Sequence, residues 1–138
     1  MSALDIAKLL RRVGRITETD TAASPSDYTP PAALAGSVQV RHVDCGSCNG
    51  CEIELAGAFG PVYDAERYGA RLVASPRHAD VLAVTRAPTR TLAEPLRRSA
   101  DAAPRPPVVL AIGDCAAAAG AYAQAAAVAG GVADVVPV

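Results

Sequence analysis

The chain has 138 residues, a formal net charge of −1 and 51% hydrophobic residues, many of them alanine. That length supports one domain with a core of its own, and so small a net charge gives no electrostatic reason for nucleic-acid binding. With no tryptophan, one methionine and two histidines, the four cysteines are the residues best able to carry hard chemistry.

Residues 1–16 predict an N-terminal amphipathic helix. Ser2 and Asp5 have capping-box spacing, and Ile6, Leu9, Leu10 and Val13 recur at i, i+3, i+4 and i+7. Lys8, Arg11, Arg12 and Arg15 cover the other face. Such a helix packs on its own domain or a neighbour, or lies on anionic lipid. Charges at Asp5, Lys8, Arg11 and Arg12 interrupt the apolar part, which a signal peptide does not allow. Residues 17–37, with Pro25, Pro30 and Pro31, read as an extended linker.

From residue 38 the pattern becomes strand, loop, helix. Val38 to Val43 alternates as a strand and runs into the segment Asp44-Cys45-Gly46-Ser47-Cys48-Asn49-Gly50-Cys51-Glu52. A short helix is expected from Glu52 to Phe59, stopped by Gly60-Pro61. Arg71–Ser75 reads as a short strand and Val81–Thr85 as a buried one. Thr91 and Glu94 form a second capping-box pair, opening a helix to about Ala102. Val108–Gly113 is a continuous apolar strand, as parallel sheets require. Ala116–Ala129 reads as an alanine-rich helix, and Val135-Val136 as a last strand. The uncharged run Cys115–Ala133 is too weakly hydrophobic to enter a membrane by itself.

Apolar strands alternating with helices imply an α/β domain over 38–138 with a mostly parallel, right-handed sheet. Ligands of such sheets gather outside the carboxyl ends of the strands. Cys45, Cys48 and Cys51 follow one strand and Cys115 follows another, so all four thiols are expected at the same edge.

The chain reads as cytosolic, where clustered cysteines favour metal or redox chemistry over structural disulfides. Three thiols at Cys45-x2-Cys48-x2-Cys51 spacing can reach one iron–sulfur cubane, and Cys115 would close the set from across the sheet. The glycines between them permit turns and expose N–H groups that can tune a cluster. A four-thiolate zinc site pairs two CxxC knuckles, and Cys115 lacks such a partner. Zinc and thiol redox chemistry nonetheless remain open on spacing alone. No dinucleotide fingerprint, phosphate loop or Ser–His–Asp arrangement is present.

Gly46-Ser47-Cys48-Asn49-Gly50-Cys51-Glu52-Ile53-Glu54 resembles the cluster motif of the small subunit of membrane-bound, energy-converting (group 4) [NiFe] hydrogenases. That family includes the formate hydrogenlyase small subunit and the 20-kDa subunit of NADH-quinone oxidoreductase, complex I. The resemblance continues through Tyr63 to Gly69, Ser75 to Thr85 and Gly113-Asp114-Cys115-Ala116. It implies a flavodoxin-like three-layer α/β sandwich carrying one [4Fe–4S] cluster. It also implies docking on a large hydrogenase-like or 49-kDa-like subunit, electron exchange with a ferredoxin-like iron–sulfur subunit, and membrane subunits as indirect partners. The expected place is the cytoplasmic face of the membrane, held there through partners.

By motif, Cys48, Cys51 and Cys115 match three family ligands. Family members carry the fourth in a Pro-Gly-Cys-Pro-Pro segment soon after the stretch matching Asp134–Pro137, and this chain ends at Val138, so the domain reads as truncated. Cys45 stands where the hydrogenlyase motif usually has no cysteine, whereas the complex I version has two adjacent ones. Two expectations follow: Cys45 supplies the missing thiolate, or the chain is a fragment holding an incomplete cluster or none. In the first case the protein is an electron relay, not catalytic alone; in the second it is a metal- or thiol-binding scaffold.

Glu52 and Glu54 are helix first-turn carboxylates favoured by the dipole, or a proton relay or partner-facing pair beside the cluster, as the resemblance suggests. His42 and His78 read as packed or loop residues, Asp114 as a helix cap, and Arg77 and Arg86 as exposed cations able to face a partner or a quinone headgroup.

Overall fold

Among the described residues, four parallel strands form from the apolar runs: β1 (Val38–Asp44), β2 (Ala70–Leu72), β3 (Val81–Thr85) and β4 (Val108–Ile112). They lie side by side in the order β2-β1-β3-β4, which matches the first four positions of the flavodoxin-like order. The computed structural model describes residues 32–34, 36–46, 48–104 and 107–138. The expected helix over 1–16 and most of the expected linker lie outside the described residues. What is described falls within the unit Pro31–Val138.

Every residue of β3 is buried. A central parallel strand is covered on both faces, which is why Val81-Leu82-Ala83-Val84-Thr85 carries no alternation. β4 is the edge of this sheet, and Leu110 is 50% exposed there. Asp80 ties the start of β3 to β1: its Oδ2 accepts the Gln39 N–H at 2.8 Å, and its own N–H donates to Gln39 O at 2.8 Å.

Three helices accompany the sheet among the described residues: α1 (Gly50–Ala58), α2 (Ala93–Ala102) and α3 (Asp114–Ala118). Helix α2 buries Ala93 and Leu96 and turns its charges outward, where Glu94 meets Arg98 at 3.0 Å and Arg97 at 3.9 Å. Its start differs from the expected capping box. Thr89 Oγ1, not Thr91, accepts the Leu92 N–H at 3.3 Å.

The C-terminal quarter departs most from expectation. The alanine-rich run Ala116–Ala129 does not continue as one helix. Helix α3 stops at Ala118, because Ala119 and Gly120 enter the left-handed region at φ 60 and 47. The chain then turns back to bond elsewhere: Arg90 N–H donates to Ala127 O at 2.9 Å and Ala129 N–H to Pro88 O at 2.8 Å. These backbone bonds to residues 88–90 replace those a longer helix would have made, so tertiary pairing overrides alanine's propensity. The expected strand at Val135-Val136 is absent; a 3₁₀ turn over Val132–Asp134 stands there instead, and Val132 and Val136 are buried.

The core is built from small side chains: Leu82, Val84, Leu96, Val109, Val132 and Val136, with Cys45 and Ala116 among them. Leu82 and Leu96 are fully buried. Leu82→Ala and Leu96→Ala are each expected to lower stability by about 2–5 kcal/mol. The half-exposed Leu110→Ala should cost about 1 kcal/mol or less. Urea denaturation followed by circular dichroism checks the ranking.

Candidate metal centre

Parallel register sets the level of the site. Asp44 pairs with Thr85, and Thr85 with Ile112, so β1, β3 and β4 end side by side. The residues that follow, Cys45, Arg86 and Gly113, leave the sheet at the same edge. Strand order also reverses here: β2 lies to one side of β1, and β3 and β4 to the other. The gap between the carboxyl ends of β1 and β3 is thus the topological switch point, where such folds bind ligands.

Cys48, Cys51, Glu52, Arg86 and Cys115 line one recess at this edge. Cys48 is exposed, and Cys51 and Cys115 are half-buried. The loop from β1 reaches this place through two unusual backbone positions. Gly46, at φ 110, passes so close to Thr89 that a Cβ there would lie 2.8 Å from Thr89 Cγ2. Asn49, at φ 68, turns the chain into α1, a conformation asparagine tolerates better than most residues. Asp44 Oδ1 accepts the Gly46 N–H at 2.8 Å and closes the turn. On the opposite side Gly113, at φ 85, begins α3. A Cβ on Gly113 would sit 2.6 Å from Cys51 Sγ, so the Cys51 thiol packs on bare backbone two residues before Cys115. Asp114 is the first residue of α3 rather than its cap, and Gly113 precedes it.

Cys45 is not in this recess, which departs from the expected convergence of all four thiols. It is fully buried within the hydrophobic core. Its backbone is held on both sides: Cys45 N–H donates to Thr85 O at 3.3 Å, and Thr89 N–H donates to Cys45 O at 3.2 Å. Burial, reinforced by the Asp44 charge, pushes its thiol from 9.0 up to about 11. A thiol so placed is a small hydrophobe rather than a ready thiolate.

The two glutamates also separate. Glu52 has a side chain 17% exposed, and neither carboxylate oxygen has a hydrogen-bond partner among the described residues. His42 Nε2 lies 3.9 Å from Glu52 Oε1 and 2.9 Å from Thr85 Oγ1. Glu54 is exposed, as is His78.

Arg86 belongs to the recess rather than to open surface, and Tyr122, to which the sequence drew no attention, holds it there. The guanidinium carbon lies 4.2 Å from the Tyr122 ring centroid. Arg86 sits at φ 64, a conformation that costs a non-glycine residue on the order of 1–3 kcal/mol. Its Nε is buried without a partner among the described residues. The legible signal was position: a cation directly after a fully buried parallel strand stands at the ligand-binding edge. Nothing in the sequence marked Tyr122.

Among the described residues, no three His, Cys, Asp or Glu side chains form a group that could hold a single metal ion. A lone zinc draws its sulfurs onto one point at about 2.3 Å. A polynuclear cluster has each thiolate bind a different iron and asks for wider separation. Three thiols from the segments after β1 and β4, lining one recess, are a donor set whose chemistry suits an iron–sulfur cluster.

The family of the NADH ubiquinone oxidoreductase 20 kDa subunit matches residues 48–138. Formate hydrogenlyase subunit 7 of Escherichia coli is 44% identical over 102 residues, covering 74% of this chain and 40% of that protein. A probable membrane-bound hydrogenase subunit of Pyrococcus furiosus is 49% identical over 82 residues, covering 59% of this chain and 49% of the relative. An uncharacterised protein of Methanocaldococcus jannaschii is 42% identical over 102 residues, covering 74% and 68% of the two chains. The chain thus spans less than half the length of the first two relatives. The family match begins at Cys48, so Cys45 lies outside it.

Two outcomes follow from the thiol environments. Iodoacetamide at pH 8 is expected to label Cys48 first, then Cys51 and Cys115, and to reach Cys45 only in urea; peptide mapping by mass spectrometry checks the order. Because folding raises the Cys45 pKa from 9.0 to about 11, its contribution is complete below pH 9.0 and lost as pH rises through about 11. Stability should fall there by roughly 1.4 kcal/mol per pH unit. Cys45→Ala should flatten that slope in urea melts at pH 8 to 11.

Proposed function

The chain belongs to the family of the NADH ubiquinone oxidoreductase 20 kDa subunit, and from that premise we propose that it is an electron-transfer subunit carrying one [4Fe–4S] cluster on Cys48, Cys51 and Cys115. The observation that carries this reading is that those three thiols, from the segments following β1 and β4, line one recess at the switch point of the sheet. The cluster supplies one-electron relay when bound. The resemblance implies a fourth ligand after the stretch matching Asp134–Pro137 in family members, and we propose that the fourth position is filled by a donor other than Cys45. Cys45 takes no part: its burial and raised pKa suit the core.

The chain's own residues set the surroundings of the relay. Gly113 lets the Cys51 thiol pack on bare backbone, and Gly46 lets the loop after β1 pass close to Thr89. Glu52 stands beside the thiols without a hydrogen-bond partner among the described residues. It is placed to take up a proton at Oε1 or Oε2 as negative charge arrives, with His42 and Thr85 behind it. Glu54, exposed on α1, takes a partner-facing role.

The partners proposed are a large hydrogenase-like or 49-kDa-like subunit on one side and a ferredoxin-like iron–sulfur subunit on the other. The similarity to formate hydrogenlyase subunit 7 and to a membrane-bound hydrogenase subunit favours the hydrogenase branch. Large apolar side chains stand exposed near the site's first helix, with Ile53 68%, Val62 85%, Tyr63 71% and Tyr68 77% accessible. Exposed apolar residues in such number support a covering subunit. No helix among the described residues is long and apolar enough to cross a membrane; attachment is proposed through membrane subunits, at the cytoplasmic face.

Anaerobic reconstitution with iron, sulfide and an excess of a small thiol to fill the fourth position tests this. About four irons per chain are expected, with a reducible EPR signal. Cys48→Ser, Cys51→Ser and Cys115→Ser should each lose most of the iron, and Cys45→Ala should keep it. Iron lost only in Cys45→Ala would reverse the ligand assignment. A wild-type chain that folds but binds no iron would leave a thiol-bearing scaffold in place of a relay.

A further inference from the structure

Arg86 is the group in the recess that the electron-relay reading leaves without a task. It lines the same walls as the three thiols, yet among the described residues it enters no ion pair, and its buried Nε–H has no acceptor. Glu52 lines that recess too; neither oxygen accepts a hydrogen bond among the described residues, and Oε1 lies 3.9 Å from His42 Nε2. A buried Arg86 Nε–H and a Glu52 carboxylate that lack hydrogen bonds among the described residues are costly, and the Arg86 group is open to a further charge in the recess.

The backbone makes the same point. Arg86 occupies φ 64, which glycine would adopt without strain. Strained positions persist where the surroundings over-determine them, and they cluster at functional sites. Here the arginine side chain is clamped by the face of Tyr122, 4.2 Å from the guanidinium carbon, a stacking that arginine's planar group favours and lysine's ammonium serves less well. The clamp fixes the charge at the carboxyl edge of β3, beside the thiols.

Thiolates gathered on iron concentrate negative charge, and accepting an electron adds one more. A fixed cation in the wall favours the reduced form over the oxidised one. We propose that Arg86, held by Tyr122, is the charge-compensating residue of the thiol recess and raises the midpoint potential of the centre that Cys48, Cys51 and Cys115 bind. This rests on the relay reading, and the two can fail separately. The rival use of Arg86, capture of a carboxylate on a docking subunit, would leave the potential of the isolated chain unmoved.

The test is an EPR-monitored redox titration of the reconstituted chain, with no activity involved. At an effective dielectric of about 20, removing a unit charge about 12 Å away shifts a one-electron equilibrium by roughly tenfold, and a nearer charge by more, so tenfold is the smallest shift expected. Arg86→Gln should therefore lower the reduced-to-oxidised ratio at a fixed poise by about tenfold or more, tenfold being equivalent to about 59 mV for one electron. Arg86→Lys should shift it by less, and Tyr122→Leu by less and in the same direction. Arg86→Gly relieves the backbone strain, so its thermal midpoint should not fall, while its potential follows Arg86→Gln. Iron lost in Arg86→Gln but restored in Arg86→Lys would support charge compensation at the assembly step; iron lost in both would overturn it. A potential in Arg86→Gln within twofold of the wild-type ratio overturns the proposal and leaves the relay intact. A wild-type chain that takes up no iron removes both.

Discussion

Parallel hydrogen bonding puts Asp44 beside Thr85 and Thr85 beside Ile112, and the loops that follow all leave the sheet at that level. Everything chemical in this protein depends on that alignment. Residues 45–51, 86 and 113–115 are far apart in the chain, and no local interaction would gather them. A shift of one residue between β1 and β3 would turn every side chain of one strand to the opposite face. Asp80 opposes that slip at the start of β3, because its carboxylate and its N–H both bond to the backbone of Gln39 on β1.

The four thiols show how environment sorts chemically identical groups. Cys45 follows β1 so closely that its backbone still bonds to Thr85 and Thr89, and this draws its side chain into the core. There the neutral thiol is favoured and the thiolate is penalised. Cys48 and Cys51 lie beyond the turn that Gly46 and Asn49 allow, and Cys115 begins a helix across the sheet. These three keep access to the recess. Cysteine spacing of two intervening residues treats Cys45, Cys48 and Cys51 as equals; burial does not.

The recess is polar in an expensive way. Among the described residues the Glu52 carboxylate and the Arg86 Nε are buried without hydrogen bonds, and Arg86 stands in a backbone conformation that opposes its side chain. A site of this kind is not explained by stability. It suits a place that receives a further charged group, as proposed above for the thiol recess.

Much of this was legible beforehand. The apolar runs at 81–85 and 108–112 announced parallel strands, because burial on both faces removes alternation, and the alternation at 38–43 announced another strand. Strand ends announced the edge on which the cysteines stand. The motif around Cys48 and Cys51, with Cys115 after Gly113-Asp114, announced the family. Tertiary structure alone decided that Ala116–Ala129 breaks after one short helix, since its backbone groups find partners at Pro88 and Arg90. It alone withdrew Cys45 from the recess, set Glu52 apart from Glu54, and joined Arg86 to Tyr122. The sequence by itself determined which segments must be buried and which residue types could do chemistry, for those follow from local composition and periodicity. Which side chains meet was decided by the register and by the left-handed turns at Gly46, Asn49, Arg86 and Gly113, because contact across the sheet edge is a property of distances between segments that no local pattern encodes.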